Sequence, residues 1–263
     1  MAIAFNSFIF AQNHNMNKLK TYLIVFLTCC TTLAFSQIEE VKESPSGVLV
    51  NIHYGGEIPT GILADRFGAG FSIGLSPTYM SKNQWLFGLD AKALFGGDVK
   101  EDVLANLRTS TGEIIGQDKG FALVALNQRG YFIGGTVGKI IPLTEDNRSG
   151  IRVSGSVGVL RHKIRIDDGG NLPQLSGEYR LGYDRLTYGL GFTEFVGYQY
   201  LSRNRLINFY VGAEFTQGFT QNRRTINYDT GLSETEPRQD NLIGFKVGWI
   251  LPIYDTKSTE VYY

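Results

Sequence analysis

From Phe71 onward the apolar side chains fall on every second position: Phe71, Ile73, Leu75, Pro77 and Tyr79, with Ser72, Gly74, Ser76 and Thr78 between them. After the polar stretch Ser81-Lys82-Asn83-Gln84 the alternation resumes as Trp85, Phe87, Leu89, Ala91, Ala93 and Phe95, opposed by Leu86, Gly88, Asp90, Lys92 and Leu94. A period of two places successive side chains on opposite faces, which predicts β-strands. Each run is about 9–11 residues, the length at which a tilted strand crosses a bilayer. One face is apolar with aromatics near its ends. The other holds Gly, Ser, one Asp and one Lys, a set that suits a narrow crowded interior better than open water. Pro77 is a mild irregularity, because proline cannot donate to a strand ladder. The hairpin predicts two neighbouring strands of a membrane-spanning barrel.

The same rhythm runs through the rest of the chain. Residues 47–55 set Val48, Val50, Ile52 and Tyr54 against Leu49, Asn51 and His53; residues 130–143 set Tyr131, Ile133 and Val137 against Gly134, Thr136 and Gly138. From 151, Ile151, Val153, Val157 and Val159 oppose Arg152, Ser154, Ser156, Gly158 and His162. Residues 161–167 are too charged for lipid, so that strand is expected to continue beyond the bilayer. In 185–201, Leu186, Tyr188, Leu190, Phe192, Val196, Tyr198 and Tyr200 share one face, but Glu194 falls among them and Phe195 falls on the polar face. A β-bulge would repair that register. Ile207, Phe209, Val211, Ala213 and Phe215 oppose Asn208, Tyr210, Gly212, Glu214 and Thr216, and residues 240–254 close the series with Phe245, Val247, Trp249, Leu251 and Ile253 against Lys246, Gly248 and Ile250.

The expected fold is therefore all-β, an eight-stranded antiparallel up-and-down transmembrane barrel over 47–254. Short turns (81–84, 144–149, 202–205) alternate with long connections (56–70, 96–129, 168–184, 221–239). Bacterial barrels place short turns in the periplasm and long loops outside, with both termini periplasmic. Within the second long connection, 98–108 reads as a short helix, and 113–126 supplies an extra hairpin in a ten-stranded alternative. Long connections of this kind carry function or are mobile.

Composition adds direction. The 32 glycines, 14 tyrosines and 17 phenylalanines suit a tapering interior and interfacial girdles. A mean hydropathy of −0.09 excludes a helical membrane protein. The only long apolar run, 22–35, follows Lys18 and Lys20 and ends Ala34-Phe35-Ser36, the layout of a secretory signal cut before Gln37. Residues 1–36 are thus read as leader and signal, with Met16 the better start, 37–46 as a periplasmic lead and 255–263 as a tail. Cys29 and Cys30 both lie in the signal, and acylation of Cys29 is disfavoured because Thr28 is not the small residue a lipobox wants. The remaining chain has no thiol chemistry. That segment carries two lysines and no acid, leaving 23 basic against 25 acidic residues and no basic footprint for nucleic acid.

With the signal, eight alternating strands and an aromatic closing strand, residues 47–254 resemble small outer-membrane β-barrel proteins of the OmpX/OmpA transmembrane type. The Phe-Ser-Gln signal end and the Tyr/Gly/Asn-rich strands are similar to versions from Bacteroidetes. The peptidoglycan-binding domain of OmpA-like proteins is not carried over. The resemblance implies a Gram-negative outer-membrane location with outer-membrane lipid and lipopolysaccharide as neighbours, and a non-enzymatic scaffold that presents loops for interaction or envelope integrity. An accessory subunit of a larger outer-membrane secretion or assembly machine is the first alternative. The second is a lipid-modifying acyltransferase, since lipid A palmitoyltransferases place a His, an Asp and a Ser in outer loops, where His53, Asp98 and Ser110 fall here.

The candidate chemistry is mostly structural. Asp90, Lys92, Arg152, Glu214 and Lys246 face inward and are expected to form a lumen ion-pair network, because an eight-stranded interior is just wide enough for side chains to fill. Tyr54, Tyr79, Trp85, Tyr131, Tyr200, Trp249 and Tyr254 are expected at the membrane interfaces. His53 and His162 are far apart and without clustered Cys or carboxylates, so no metal or cofactor is expected.

Overall fold

The computed structural model describes residues 46–117, 120–143, 149–169, 172–202 and 207–254. The leader and signal, nearly all of the 37–46 lead and the 255–263 tail lie outside the described residues, as do the centres of two short turns. In chain order the elements are β1 (Gly47–Gly61), a four-residue helix α1 (Leu63–Arg66), β2 (Gly70–Met80) and β3 (Trp85–Gly96). A small hairpin of β4 (Ile114–Ile115) and β5 (Phe121–Ala122) follows, then β6 (Ala125–Pro142), β7 (Gly150–Asp167), β8 (Thr187–Leu201), β9 (Asn208–Asn222) and β10 (Pro237–Tyr254). Eight of the strands close into one barrel in the order β1-β10-β9-β8-β7-β6-β3-β2. Every neighbouring pair is antiparallel, and β1 meets β10 from Gly47 opposite Tyr254 to Gly61 opposite Asp240. The β4–β5 hairpin forms its own two-stranded sheet and does not join the wall, so the ten-stranded alternative is wrong.

The period of two shows in the burial of each strand. On β1, Val48, Ile52, Tyr54 and Ile58 are exposed while Leu49, Asn51, His53 and Glu57 are buried inside. Pro77 faces outward where the β2–β3 ladder skips Ser76 and Pro77; the register is the same on either side of the gap. Two sequence expectations fail here. Gly55 and Gly56 read as the end of a strand, but β1 runs on to Gly61, so the first part of the expected 56–70 loop is wall. The two glycines are sites of close approach: a Cβ on Gly56 would come within 2.5 Å of the Phe245 ring, and one on Gly55 within 2.8 Å of Ser72 Oγ. Likewise Asp98–Arg108 is not a helix, apart from one 3₁₀ turn at Ala105–Leu107.

The expected bulge at Glu194 is absent. The β7–β8 and β8–β9 registers run unbroken through Glu194, opposite Gly155 and Phe215, and through Phe195, opposite Ser154 and Glu214. Glu194 therefore points outward, midway along β8 between exposed Phe192-side and Val196-side apolar surface, and Phe195 fills the interior. A carboxylate facing hydrocarbon weakens a membrane barrel, by less than the ~2–4 kcal/mol of a midplane Arg or Lys. Glu194→Leu is accordingly expected to raise stability by about 1–2 kcal/mol, read as a higher urea midpoint for unfolding from lipid vesicles. A lower midpoint would mean that Glu194 is satisfied by something other than lipid.

The barrel interior is layered. At the short-turn end Leu49, Met80, Leu86, Ile140, Phe195, Leu201, Tyr210 and Ile250 form one buried apolar cluster. At the long-loop end a larger cluster joins wall residues Leu94, Phe132, Leu160, Ile164, Ile166 and Leu242 to loop residues including Leu63, Phe67, Val103, Leu104, Leu175 and Tyr183. Buried charge occupies the level between them.

Candidate functional site

The middle of the lumen is built from inward positions of seven strands. Lys92 on β3 is fully buried; its Nζ donates to Glu214 Oε1 on β9 at 2.5 Å, to Glu57 Oε1 on β1 at 2.8 Å and to Thr216 Oγ1 at 3.4 Å. Lys246 on β10 pairs with the other Glu214 oxygen and with Asp90 Oδ2 at 3.4 Å. Asp90 also accepts from Ser76 Oγ at 2.6 Å. Arg152 on β7 stands slightly apart, donating to Gln199 Oε1 at 3.1 Å with its guanidinium 4.5 Å from the centre of the Tyr210 ring. The structure thus brings Asp90, Lys92, Glu214 and Lys246 into one chain of contacts and places Arg152 beside it. Glu57 is the member that sequence reading misplaced in a loop; the signal was available, since inward positions continue from His53 through Gly55 to Glu57 at the same period.

Three lysine and arginine charges face three carboxylates here, so the level is close to neutral, as buried charge must be. A polar cavity lined by Ser76, Asp90, Arg152, Thr193, Tyr210 and Lys246 has room for little more than one water molecule. Inward glycines let the aromatics lie flat against the wall: a Cβ on Gly248 would stand 2.2 Å from the Tyr210 ring. With apolar clusters above and below, the lumen is filled rather than open.

His53 requires a correction. It lies in the middle of β1, opposite Gly74 and Gly248, not at the strand's outer end. Its Nε2 is 3.1 Å from both Ser76 Oγ and Asp90 Oδ1. A nucleophilic relay needs serine and carboxylate on opposite ring nitrogens; here both meet one nitrogen, and Ser76 donates to Asp90 instead. Asp98 and Ser110 are on the loops and are not brought to His53; the Asp98 carboxylate lies against Gly68. The acyltransferase constellation is not assembled.

The second half of the site is the cap over the loop end. Arg185, buried between the 3₁₀ segment Gly177–Gly182 and β8, donates from Nε to Glu101 at 2.6 Å and from Nη2 to Asp229 at 2.5 Å. Arg66 at the end of α1 donates to the other Glu101 oxygen at 2.6 Å and to Thr187 Oγ1 at 3.3 Å. One carboxylate therefore ties together the first, second and third long connections, and Asp229 adds the fourth. Arg185 adopts a left-handed backbone (φ 50°), a conformation that costs a non-glycine residue about 1 kcal/mol or more and persists only when its surroundings hold it. Burial opposes the charge on Glu101, but Arg66 and Arg185 outweigh it and hold the carboxyl below its ordinary range. Arg224 clamps Asp184 at 2.8 and 2.7 Å, and His162 meets Asp240 at 2.8 Å beneath the cap. The long connections, expected to carry function or to be mobile, are among the described residues packed structure with their own apolar core.

Outside, the exposed apolar residues form a band. Tyr79, Trp85, Tyr200 and Trp249 stand towards its turn end, with Trp85 stacked on Phe87 at 6.3 Å and Tyr200 beside Phe209 at 5.6 Å. Tyr131 lies towards the loop end, where Phe71 stacks on Phe95 at 5.5 Å. Tyr54 is 62% exposed but sits mid-strand, because β1 is longer than its sequence suggests. The Tyr254 side chain is outside the described residues.

No protein-family model matches the sequence, and no curated protein matches it. Among solved structures, the chain is similar to Neisserial surface protein A, with 13% identity and a TM-score of 0.45 over 80% of this chain and all of that one. It is similar to Ail, the attachment invasion locus protein of Yersinia pestis in complex with the heparin analogue sucrose octasulfate, with 12% identity and a TM-score of 0.42 over 79% of this chain and 99% of that one. The outer membrane protein OprG of Pseudomonas aeruginosa gives 13% identity and a TM-score of 0.37 over 80% and 99%. The class follows from the chain's own geometry. A closed ring of eight antiparallel strands, apolar outside and filled with paired charge inside, is a small outer-membrane β-barrel protein.

Proposed function

We propose that the protein is a non-enzymatic outer-membrane scaffold that holds a rigid cap of loops at the cell surface, with both barrel ends of the chain in the periplasm. The observation that carries this reading is the cap itself: four long connections joined through Glu101, Arg185 and Asp229 over a shared apolar core. A barrel serving as a pore would leave its loops apart and its lumen open. A barrel serving as a support gains from both being filled, because rigidity is what a loop surface needs for recognition. The girdles at Tyr79, Trp85, Tyr200 and Trp249 would fix the turn end at the inner interface.

The test is paired. Protein refolded into planar bilayers is expected to give no resolved conductance, and on whole cells an epitope inserted between Gly116 and Gly120 is expected to bind antibody without permeabilisation. Steady single-channel steps would replace the scaffold with a pore. Labelling only after permeabilisation would reverse the orientation.

A further inference from the structure

The outward face of β6 and β7 near the loop end carries a concentration of cations. Arg129 on β6 is the register partner of Lys163 on β7, Tyr131 is the partner of Arg161, and Asn127 that of Arg165. Arg161 and Lys163 share a face two residues apart, so Arg129, Arg161 and Lys163 bound a triangle whose sides are within reach of long side chains. Like charges directly opposed on neighbouring strands destabilise a sheet, and the protein supplies little to relieve this. Asp184 is 3.8 Å from Lys163 but is already held at two points by Arg224. Asp167 is 3.9 Å from Arg165, further along the strand. Among the described residues no carboxylate is within ion-pair distance of Arg129 or Arg161.

These cations are set against aromatic rings of the wall. Arg129 lies 5.4 Å over Phe95, Arg161 5.5 Å over Tyr131 and, continuing the arc, Arg223 4.4 Å over Tyr188. Stacking uses the face of a guanidinium and leaves its edge N–H groups for a planar or tetrahedral anion. Arg223 spends its edge on Gln221 Oε1 and Tyr188 O, and Arg129 spends one nitrogen on Gln128 O. The rings also fix the height, since girdle aromatics sit at the level of lipid headgroups. Directly below, Ile133, Val157 and Val159 present bare apolar wall.

We propose that Arg129, Arg161 and Lys163 hold the phosphate of a phosphorylated glycolipid of the outer leaflet, whose acyl chains lie along Ile133, Val157 and Val159. The height decides for a lipid over a soluble polyanion, which would have to reach down to the girdle to engage Arg161. The site deepens the scaffold reading, because it gives the barrel a fixed lipid neighbour beneath its cap.

The experiment uses the full chain in nanodiscs of phosphatidylcholine doped with either bisphosphorylated lipid A or the same lipid dephosphorylated, with lipid retention read by native mass spectrometry. The nanodisc is symmetric, so the result does not depend on which way the protein faces in cells, and failure here is separate from failure of the surface reading. Phosphorylated lipid A is expected to be retained about 10-fold more than the dephosphorylated form, as befits two or three charge-assisted hydrogen bonds. The triple variant Arg129→Gln/Arg161→Gln/Lys163→Gln is expected to lose that preference, and Arg161→Gln alone to reduce it about 3-fold. Lys139→Gln, which removes the cation 5.3 Å over Trp85 at the opposite end, is expected to leave it unchanged. Equal retention of the two lipids, or a triple variant that still prefers phosphate, would overturn the site. Displacement of lipid A by millimolar inorganic phosphate or by heparin would reassign it to soluble anions.

Discussion

Lys92→Met is expected to destabilise the barrel by about 3–5 kcal/mol, the cost of stranding buried carboxylates by removing their cation. Lys92 has no solvent exposure, and its ammonium is the bridge between Glu57 on β1 and Glu214 on β9. Without it Glu57 has no other cation among the described residues, and Glu214 keeps only Lys246, which it shares with Asp90. The measurement is the urea midpoint and slope for unfolding from vesicles, with folding followed by heat-modifiable migration. A second variant makes the argument sharper. Adding Glu57→Gln to Lys92→Met removes the stranded charge, so the double variant is expected to recover about 1–3 kcal/mol of the loss as a coupling between contacting residues. If the two changes simply add, the lysine acts through packing of its stem and the charge network does not stabilise the lumen.

The second large effect is confined to the cap. Arg185→Met leaves Glu101 with Arg66 and leaves Asp229 without its partner, and it also releases the left-handed backbone at position 185. Because Glu101 is partly open to solvent, about 2–3 kcal/mol is expected rather than the full cost of a buried pair. The loss should appear as trypsin cleavage within the loops while the barrel still migrates as folded. The same element predicts a pH response. A carboxyl whose pKa is depressed in the folded state contributes stability that is present above its unfolded value, about 4.3, and is lost as pH falls through the folded value. Glu101 is such a group, so pepsin cleavage of the loops is expected to rise steeply only below pH of about 4. Loops that open at pH 6 would point to His162 and Asp240 under the cap instead.

Much of the wall was legible because a barrel repeats one local rule. Side chains at i and i+2 share an environment, so Phe71 to Phe95, or Asn208 to Thr216, display inside and outside directly in the residue order. The rule breaks where a residue's reason is a neighbour from elsewhere in the chain. Gly55 and Gly56 read as punctuation, yet they are small because Ser72 and Phe245 lie across them. Glu194 read as a register error, yet the strand is regular and the carboxylate stays outside. The cap was illegible for a different reason. Val103, Leu104, Leu175 and Tyr183 follow neither a period of two nor one of 3.6, and short 3₁₀ turns with tertiary apolar contacts carry no local signature. Arg185 and Glu101, 84 positions apart, become a pair only once the strands between them have closed.

That closure has a further consequence. Gly47 and Tyr254 are register partners on the seam between β1 and β10, so the two ends of the barrel chain lie side by side at ordinary inter-strand spacing, about 4.5–5.5 Å between Cα atoms. Joining them with a few residues and cutting instead at Lys82-Asn83 would give a circular permutant with every wall pairing retained. The seam that in the natural chain pairs its first and last barrel strands would become a local hairpin, and β2 and β3 would inherit the long-range pairing. Such a chain has the same structure to reach but a different order of loop entropies to overcome, so its insertion rate, rather than its stability, is where the connectivity of this barrel would become visible.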